Sequence, residues 1–564
     1  MGRAVVSVTP DLALDRGNTY AGGLGVLEGD KFYAAARLGM DYRVLTLYYA
    51  NGYVRYEFDA DLRPVPLPEP QPEEFASSLR VADEFRVRLR GEEVSVQALE
   101  AAEGSARAVF LRPVAPDWAA RLADRVYLEG SEEERFLKYL LLARASEAYI
   151  RRDVGTGEVA HVDLQEAYAA LLPLALRLPG KYRLVIHTPG PWGHPAFPAR
   201  LLASECGYRL VCESVPLTEL GLAAAERAFA VSRKHAEILS RVFPHHAWKL
   251  GSVTNGVDAE RWTHPELRRL RGREPGLDAF IEARARARRS LESLLRELKE
   301  VELDGRMLVA WARRMAPYKR PEFAARLAVE LGDLPIVFVL GGRAHPADGE
   351  GLEWMRVFMR LHRERPNVIY LPNYGLREAR AVLSGADVLL FTPFSGWEAC
   401  GTSYMKAGMN GVPTISSRDG GALEMIEDGV NGWMFGEDLR DLVEYWGEEG
   451  RRRSELEYAQ LRDLLLRVHA MFREDPESLH AVGLRAFEGF RAVASVERAL
   501  REYYADLLGQ RDRSAAYWEL DRIARSSSAT RRLSSSESPS SSATRRHSLM
   551  LYMQPGSGPM TSPV

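Results

Sequence analysis

This sequence predicts an α/β protein of two doubly wound, Rossmann-like lobes facing a cleft. Three observations carry that expectation. Short apolar, β-branched runs alternate with helical stretches, the alternation occurs twice, and a highly charged helical segment separates the two series. In the first series AVVSVTP, YRVLTLYY, AHVDL, YRLVIHTP and RAFAVS read as strands, with helices such as LEGDKFYAAARLG and EERFLKYLLLARASEAYI between them. The second series has MLVAWARR, LPIVFVLGG, NVIYL, DVLLFTPF and VPTISS. Strands apolar throughout and separated by helices belong to parallel sheets covered on both faces.

The linking segment PELRRLRGREPGLDAFIEARARARRSLESLLRELKE has apolar residues at helical spacing and reads as surface helices opening the second lobe. Near the end, AFEGFRAVASVERALREYYADLL has the apolar spacing of helices expected to cross back onto the first lobe. Beyond about residue 524 the composition collapses into Ser, Arg, Thr and Pro, and SSSATRR occurs twice. Such a stretch buries too little apolar surface to offset chain entropy, so a disordered tail is expected. The domain reading is 1–265 for the first lobe, 266–475 for the second, 476–523 for the crossing helices and 524–564 for the tail.

Composition narrows the function. Hydrophobic content of 46% and charged content of 27% are ordinary for a globular protein, and a net charge of −3 argues against a nucleic-acid partner. Cys206, Cys212 and Cys400 form no CxxC and leave an odd thiol, which suits a reducing cytoplasm. The opening MGRAVVSVTPDLALD lacks the basic and then apolar pattern of a signal peptide, so none is expected, and no apolar run approaches the ~20 residues of a membrane span.

The chain holds only eight Lys among its 75 Lys and Arg, so each retained lysine invites a role that guanidinium cannot fill. One stands in Glu398–Gly411, EACGTSYMKAGMNG. An amine there can condense with an aldehyde or act as a compact phosphate-binding charge, and a solvated lysine on a helix is the alternative. Three other turns stand out. Gly22-Gly23-Leu24-Gly25 joins an early strand to a helix, where backbone amides can approach an anion. Arg313, Arg314, Lys319 and Arg320 cluster just past the first strand of the second lobe, the edge at which α/β sheets bind ligands. VIHTPGPWGHPAF places His187 at a strand end before a proline-restrained loop. Together these suit a phosphorylated, aldehyde-bearing cofactor beside a second phosphate and a polyhydroxylated substrate. No GxxxxGK[ST], HExxH, GxSxG or zinc spacing competes.

These motifs resemble those of the α-glucan phosphorylases, the glycogen, starch and maltodextrin phosphorylase family, in a short archaeal or bacterial-like form. EACGTSYMKAGMNG resembles the family's EASGTSGMKAxxNG, YAGGLGVLEGD its YSGGLGVLAGD, and ARRMAPYKR its ARRFxxYKR. VIHTPGPWGH resembles HTPVPAGH, SVTNGVDAERW resembles ITNGVHxPTW, GGRAHPAD resembles GKAHPxD, and ADRVYLEGSEEERFLKYLLL resembles LTDRLYGGDxExRxxQEILL. The resemblance implies a glycosyltransferase-B type fold and reversible phosphorolysis of α-1,4-glucan to glucose 1-phosphate with pyridoxal 5′-phosphate. It implies that Lys406 binds the cofactor aldehyde, while Gly23, Tyr374, Arg313, Thr402 and Ser403 surround its phosphate. Arg314 and Lys319 would hold orthophosphate. Glu398, Ala399, Cys400 and Gly401 would contact the glucosyl hydroxyls with Asn255 and His187, and Leu24 would line the pocket. His187, Arg314, Lys319 and Lys406 form the expected catalytic set, with no metal. A homo-oligomer stays open, and the long N-terminal regulatory segment of animal phosphorylases is expected to be absent.

Several departures keep rivals in view. Cys400 replaces the motif's serine, FTPFSGWEACG lacks the arginines of NPRRPLEASG, and Tyr168 stands where HLNEGHAAF has histidine. The segment after Asn410, PTISSRDGGALEMIEDGVNGWMFG, reads more like a nucleotide-sugar glycosyltransferase. A nucleotide-sugar-dependent glucan synthase of the same fold and a catalytically idle glucan-binding homologue are the two alternatives.

Overall fold

The apolar runs of the first series become the strands of one sheet. The computed structural model describes residues 3–209, 211–271 and 275–508. Its first sheet contains β1 (Ala4–Val8), β2 (Tyr42–Leu47), β3 (Arg80–Leu89), β4 (Glu92–Glu103), β5 (Ala106–Ala115), β6 (Val159–Gln165), β7 (Tyr182–Ile186), β8 (Arg227–Ala230) and β9 (Leu250–Ser252). They hydrogen-bond in the order β9-β8-β7-β6-β1-β2-β5-β4-β3. Every pair from β9 to β5 is parallel. β1 and β7 are buried at every position, as continuous apolar runs require.

The β5-β4-β3 edge departs from the expected all-parallel sheet, because these three strands are antiparallel. The cause is local. EFRVRLRGEEVSVQAL alternates polar and apolar residues, so Phe85, Val87 and Leu89 are buried while Arg86 and Arg88 are exposed. A strand with one wet face does not need helices on both sides.

The second sheet contains β10 (Met307–Ala312), β11 (Ile336–Gly341), β12 (Val368–Leu371), β13 (Val388–Phe391), β14 (Thr414–Ser417) and β15 (Trp433–Phe435). Its order is β12-β11-β10-β13-β14-β15, parallel throughout. In the first sheet the winding reverses between β1 and β6, and in the second between β10 and β13. Open α/β sheets bind ligands at such switch points, outside the carboxyl ends of the strands.

The helix Pro476–Val493 opens the segment expected to cross back. It packs on the helices Leu277–Leu298, Ser403–Gly408 and Ala422–Met425. Phe487 lies in a buried cluster with Phe280 and Ala287, and Phe490 lies so close to Gly408 that an added Cβ would stand 2.5 Å from its ring. The return is made just afterwards. Val257 donates to the Ala494 carbonyl at 2.8 Å and Arg37 pairs with Glu497 at 2.6 Å. Residues 1–500 form one compact unit, and Arg501–Leu508 are the described residues of a second. The Ser/Arg-rich tail lies outside the described residues. Among those described, no helix is long and apolar enough to cross a membrane, and no group of His, Cys, Asp and Glu is arranged to hold a metal ion.

Candidate active site

Both loops at the second sheet's switch point carry charge. The turn after β10 brings Arg313 and Lys319, and the turn after β13 brings Glu398. Lys319 Nζ lies 3.0 Å from Glu398 Oε2, and the same oxygen accepts from Arg313 Nη2. The Arg313 guanidinium also lies 4.1 Å over the Phe391 ring. Burial alone would raise the Glu398 carboxyl, but Lys319 and Arg313 hold it below the usual range. Burial, reinforced by Arg313 and Arg314, pulls Lys319 down to about 7. The turn is fixed from behind: Asp419 accepts from the Gly396 and Glu398 amides at 2.8 Å each. Lys234, on a helix of the first lobe, pairs with Asp419 at 3.0 Å and Asp438 at 2.9 Å.

The rest of the basic cluster divides. Arg320 turns inward, to Glu457 at 2.6 Å and the carbonyls of Thr392 and Pro393, and is structural. Arg314 is exposed.

Lys406 is buried on the helix Ser403–Gly408, with its Nζ 3.9 Å from the centre of the Trp262 ring. Burial, then the charges of Arg261 and Arg380, lowers it to about 8, with Asp30 opposing. A mostly buried lysine with an accessible neutral form is equipped to condense with a carbonyl. The indole beneath it is clamped. Trp262 Nε1 donates to both oxygens of Asp30 at 2.9 Å, and Asn410 Nδ2 donates to the carbonyls of Trp262 and Lys406 at 2.8 Å each.

The glycine loop lies alongside. Ala21 donates to buried Asp11 at 3.0 Å, and Gly22 caps the helix Gly23–Arg37. A Cβ added at Gly22 or Gly23 would meet nothing within 4 Å, so these glycines border open space. At Gly25 a Cβ would stand 2.6 Å from Asp11 Oδ2, so there glycine answers to the protein's own packing. Tyr20 and Gly375 join this loop to Tyr374, because a Cβ on Gly375 would lie 3.6 Å from the Tyr20 hydroxyl. Tyr374 in turn packs against Gly341, whose carbonyl accepts from the Arg313 amide at 2.9 Å. Among the described residues the Tyr374 hydroxyl and Arg313 Nε and Nη1 are buried without hydrogen-bond partners. Three orphaned polar groups, an open glycine edge and a buried lysine lowered to about 8 fit a phosphorylated aldehyde.

The residues expected at the sugar come from both lobes, and Thr402 and Ser403, expected at the cofactor phosphate, follow them in the chain. Ala399 O accepts from Ser232 at 2.6 Å, Cys400 O lies 3.5 Å from Asn255 Nδ2, and the Asn255 Oδ1 acceptor is buried and unpaired among the described residues. Gly401, Thr402, Ser403 and Leu24 are half-buried. His187 Nε2 lies 2.8 Å from Gln165 Oε1, and burial, with Lys31 and His235 adding, keeps its ring neutral well below the usual histidine range. A neutral imidazole tied to an amide hydrogen-bonds hydroxyls; it is not a ready acid.

Two departures find physical explanations. Cys400 is buried 3.7 Å from the Tyr404 hydroxyl, and burial pushes its thiol up to about 12, so it is a neutral packing group. Tyr168 packs edge-on against Tyr127 and Tyr139, with ring centroids 5.3 and 4.7 Å away.

Sequence reasoning missed Trp262, Asp30, Asp419 and Glu166. The first two stand in the quoted motifs SVTNGVDAERW and YAGGLGVLEGD, and that membership was the available signal. Glu166 stood in the altered loop HVDLQEAYAAL, where only Tyr168 drew attention. It follows β6 with φ of 64°, and burial raises its carboxyl to about 8.

Residues 297–460 match the family model of glycosyl transferases group 1. The chain is 26% identical over 509 residues to a maltodextrin phosphorylase of Thermococcus litoralis, covering 74% of this chain and 60% of that protein. It is 30% identical over 570 residues to a glycogen phosphorylase of Mycobacterium tuberculosis, covering 80% and 63%. A glycogen synthase of Thermus thermophilus is 29% identical over 309 residues, 52% of this chain and 60% of that one. The chain thus spans about three-fifths of the length of these relatives. The resemblance read from the motifs extends over most of the chain, and the glycosyltransferase-B type fold is borne out.

Proposed function

We propose that this chain, similar to the maltodextrin and glycogen phosphorylases, catalyses reversible phosphorolysis of α-1,4-glucan to glucose 1-phosphate in the cytoplasm, with pyridoxal 5′-phosphate as cofactor. The observation that carries the reading is the pair of unlike cations at one switch point. Lys406, lowered to about 8 by burial, lies over an indole, and Lys319 shares Glu398 with Arg313. Lys406 would hold the cofactor aldehyde, and Gly23, Tyr374, Arg313, Thr402 and Ser403 its phosphate. When bound, the cofactor supplies a phosphate group able to exchange a proton with orthophosphate.

The chain's own groups account for the remaining requirements. Lys319 and Arg314 attract orthophosphate, and an arriving anion favours the charged form of Lys319. Glu398, Asn255 and the neutral ring of His187 offer acceptors to glucosyl hydroxyls. Cleaving a glycosidic bond builds positive charge on the sugar, and an ionised Glu398 near that sugar opposes its cost.

The match to a glycogen synthase supports the second reading, a nucleotide-sugar donor gripped by the same cations. One comparison separates them. The purified protein should absorb in the near ultraviolet or visible, change on borohydride treatment, and release glucose 1-phosphate from maltodextrin and phosphate. Turnover with a nucleotide sugar but not with phosphate, and no borohydride-sensitive chromophore, would overturn the proposal.

A further inference from the structure

An aromatic stack that none of these roles uses stands beside the charged triad. The loop after β7 carries Trp192, whose ring lies 5.6 Å from Tyr318 at 24° and 5.3 Å from Trp397 at 17°. Tyr318 immediately precedes Lys319, and Trp397 immediately precedes Glu398. Trp397 also meets Tyr445 and Trp446 edge-on, at 5.1 and 5.6 Å. The base of this surface is buried, whereas Trp192 is 44% and Trp446 49% exposed.

The loop is shaped around that indole. A Cβ at Gly190 would lie 2.6 Å from the Trp192 ring, and one at Gly193 would lie 2.5 Å from Thr188 Cβ. Thr188 is anchored in turn, its hydroxyl donating to Glu166 Oε1 at 2.7 Å while the His187 amide donates to the same oxygen at 2.9 Å. Glu166 accepts a positive φ of 64° to reach both. A left-handed residue with a side chain costs on the order of 1 kcal/mol and persists where its surroundings impose it. Trp192 and Trp397 are also two departures from the motifs: HTPVPAGH has alanine and RPLEASG leucine at those places. In the fold the two departures touch.

The geometry points to the Trp192–Trp397–Tyr318 stack as an acceptor-side glucan subsite, on whose open rim a glucose unit beyond the cleaved bond lays its apolar C–H face. The assignment rests on the phosphorylase reading. A pyranose ring has one flat apolar face and hydroxyls around its edge, which matches a rigid aromatic surface with a carboxylate beside it. The stack carries no charge, so the phosphate end of the substrate stays with Lys319. Trp397, next to the pocket's Glu398, is buried at the base, so the surface open to a glucan chain is that of Trp192.

The test is direct titration of the full chain with maltoheptaose, without phosphate, in the unsubstituted protein and in Trp192→Leu and Trp192→Phe. Leucine is apolar but not flat, so Trp192→Leu should weaken maltoheptaose binding about tenfold, as loss of one stacking contact predicts. Trp192→Phe, retaining a ring, should stay within about threefold, and both variants should keep the KM for phosphate. Unchanged or tighter maltoheptaose binding by Trp192→Leu would reduce the stack to packing between lobes and overturn the subsite while leaving the phosphorylase reading standing. No binding by the unsubstituted protein would overturn both.

Discussion

Replacing Lys406 by methionine should stabilise the cofactor-free protein while abolishing its chemistry. Methionine keeps the length of the side chain and the helix propensity but not the amine. The fall from the ordinary 10.5 to about 8 corresponds to about 3 kcal/mol against the charged form, at about 1.4 kcal/mol per pH unit. The Trp262 face, 3.9 Å from Nζ, returns about 1–2 kcal/mol. The net gain for Lys406→Met at pH 7 is therefore about 1–2 kcal/mol, or a rise of roughly 2 °C in thermal midpoint for a unit of this size. The pH dependence has a definite sign. Below pH 8 the lysine is charged in both folded and unfolded chains and the penalty is fully present. From pH 8 to 10.5 the unfolded chain binds more protons, so the unsubstituted protein gains stability with rising pH and the advantage of methionine fades. The assay is thermal unfolding of both proteins, stripped of cofactor, at pH 7 and near pH 10. Added pyridoxal phosphate should raise the midpoint of the unsubstituted protein only. A destabilised Lys406→Met protein at pH 7, or one that keeps glucan phosphorolysis, would refute the reasoning.

Other outcomes follow from the same geometry. Lys319→Ala should weaken use of phosphate and glucose 1-phosphate about tenfold to a hundredfold, as loss of a charge-assisted contact predicts, with far less effect on glucan; equal effects in steady-state kinetics would assign the cluster to surface solvation. Because Lys319 is drawn down to about 7, phosphate binding at pH 8 should take up protons, and calorimetry in buffers of different ionisation enthalpy would detect it; no uptake would mean that Lys319 is already charged. Gly23→Ala, facing open space, should leave the cofactor-free midpoint unchanged but loosen pyridoxal phosphate, measured by retained absorbance. Gly25→Ala, which drives a Cβ to 2.6 Å from Asp11, should cost about 1–3 kcal/mol in the same melt. A chain ending at residue 475 should unfold or lose activity, since it loses Phe487 and Phe490; a cooperative melt with full turnover would contradict this.

The sequence by itself determined the two series of strands, because a continuous apolar run buries on both faces wherever it is placed. It also determined the motif residues, Lys406 included, since each motif is a contiguous string of residues that can be read without the fold. The antiparallel edge was written locally too, in the alternation around Arg86 and Arg88, though it is easily passed over beside stronger apolar runs. What the tertiary structure alone decided is the chemistry of those residues. Lys406 is lowered to about 8 because it is buried; its amine lies over Trp262, and Trp262 is held by Asn410, 148 positions away, and Asp30, 232 positions away. Arg320 and Lys319 are neighbours in sequence, yet one turns inward to Glu457 and the other to Glu398. Trp192 meets Trp397 only because the loops after β7 and β13, strands of two separate sheets, converge. Proton affinity and stacking depend on desolvation and on charges and rings a few ångströms away. Those distances are set by how the sheets are wound and docked, and no local pattern of residues encodes them.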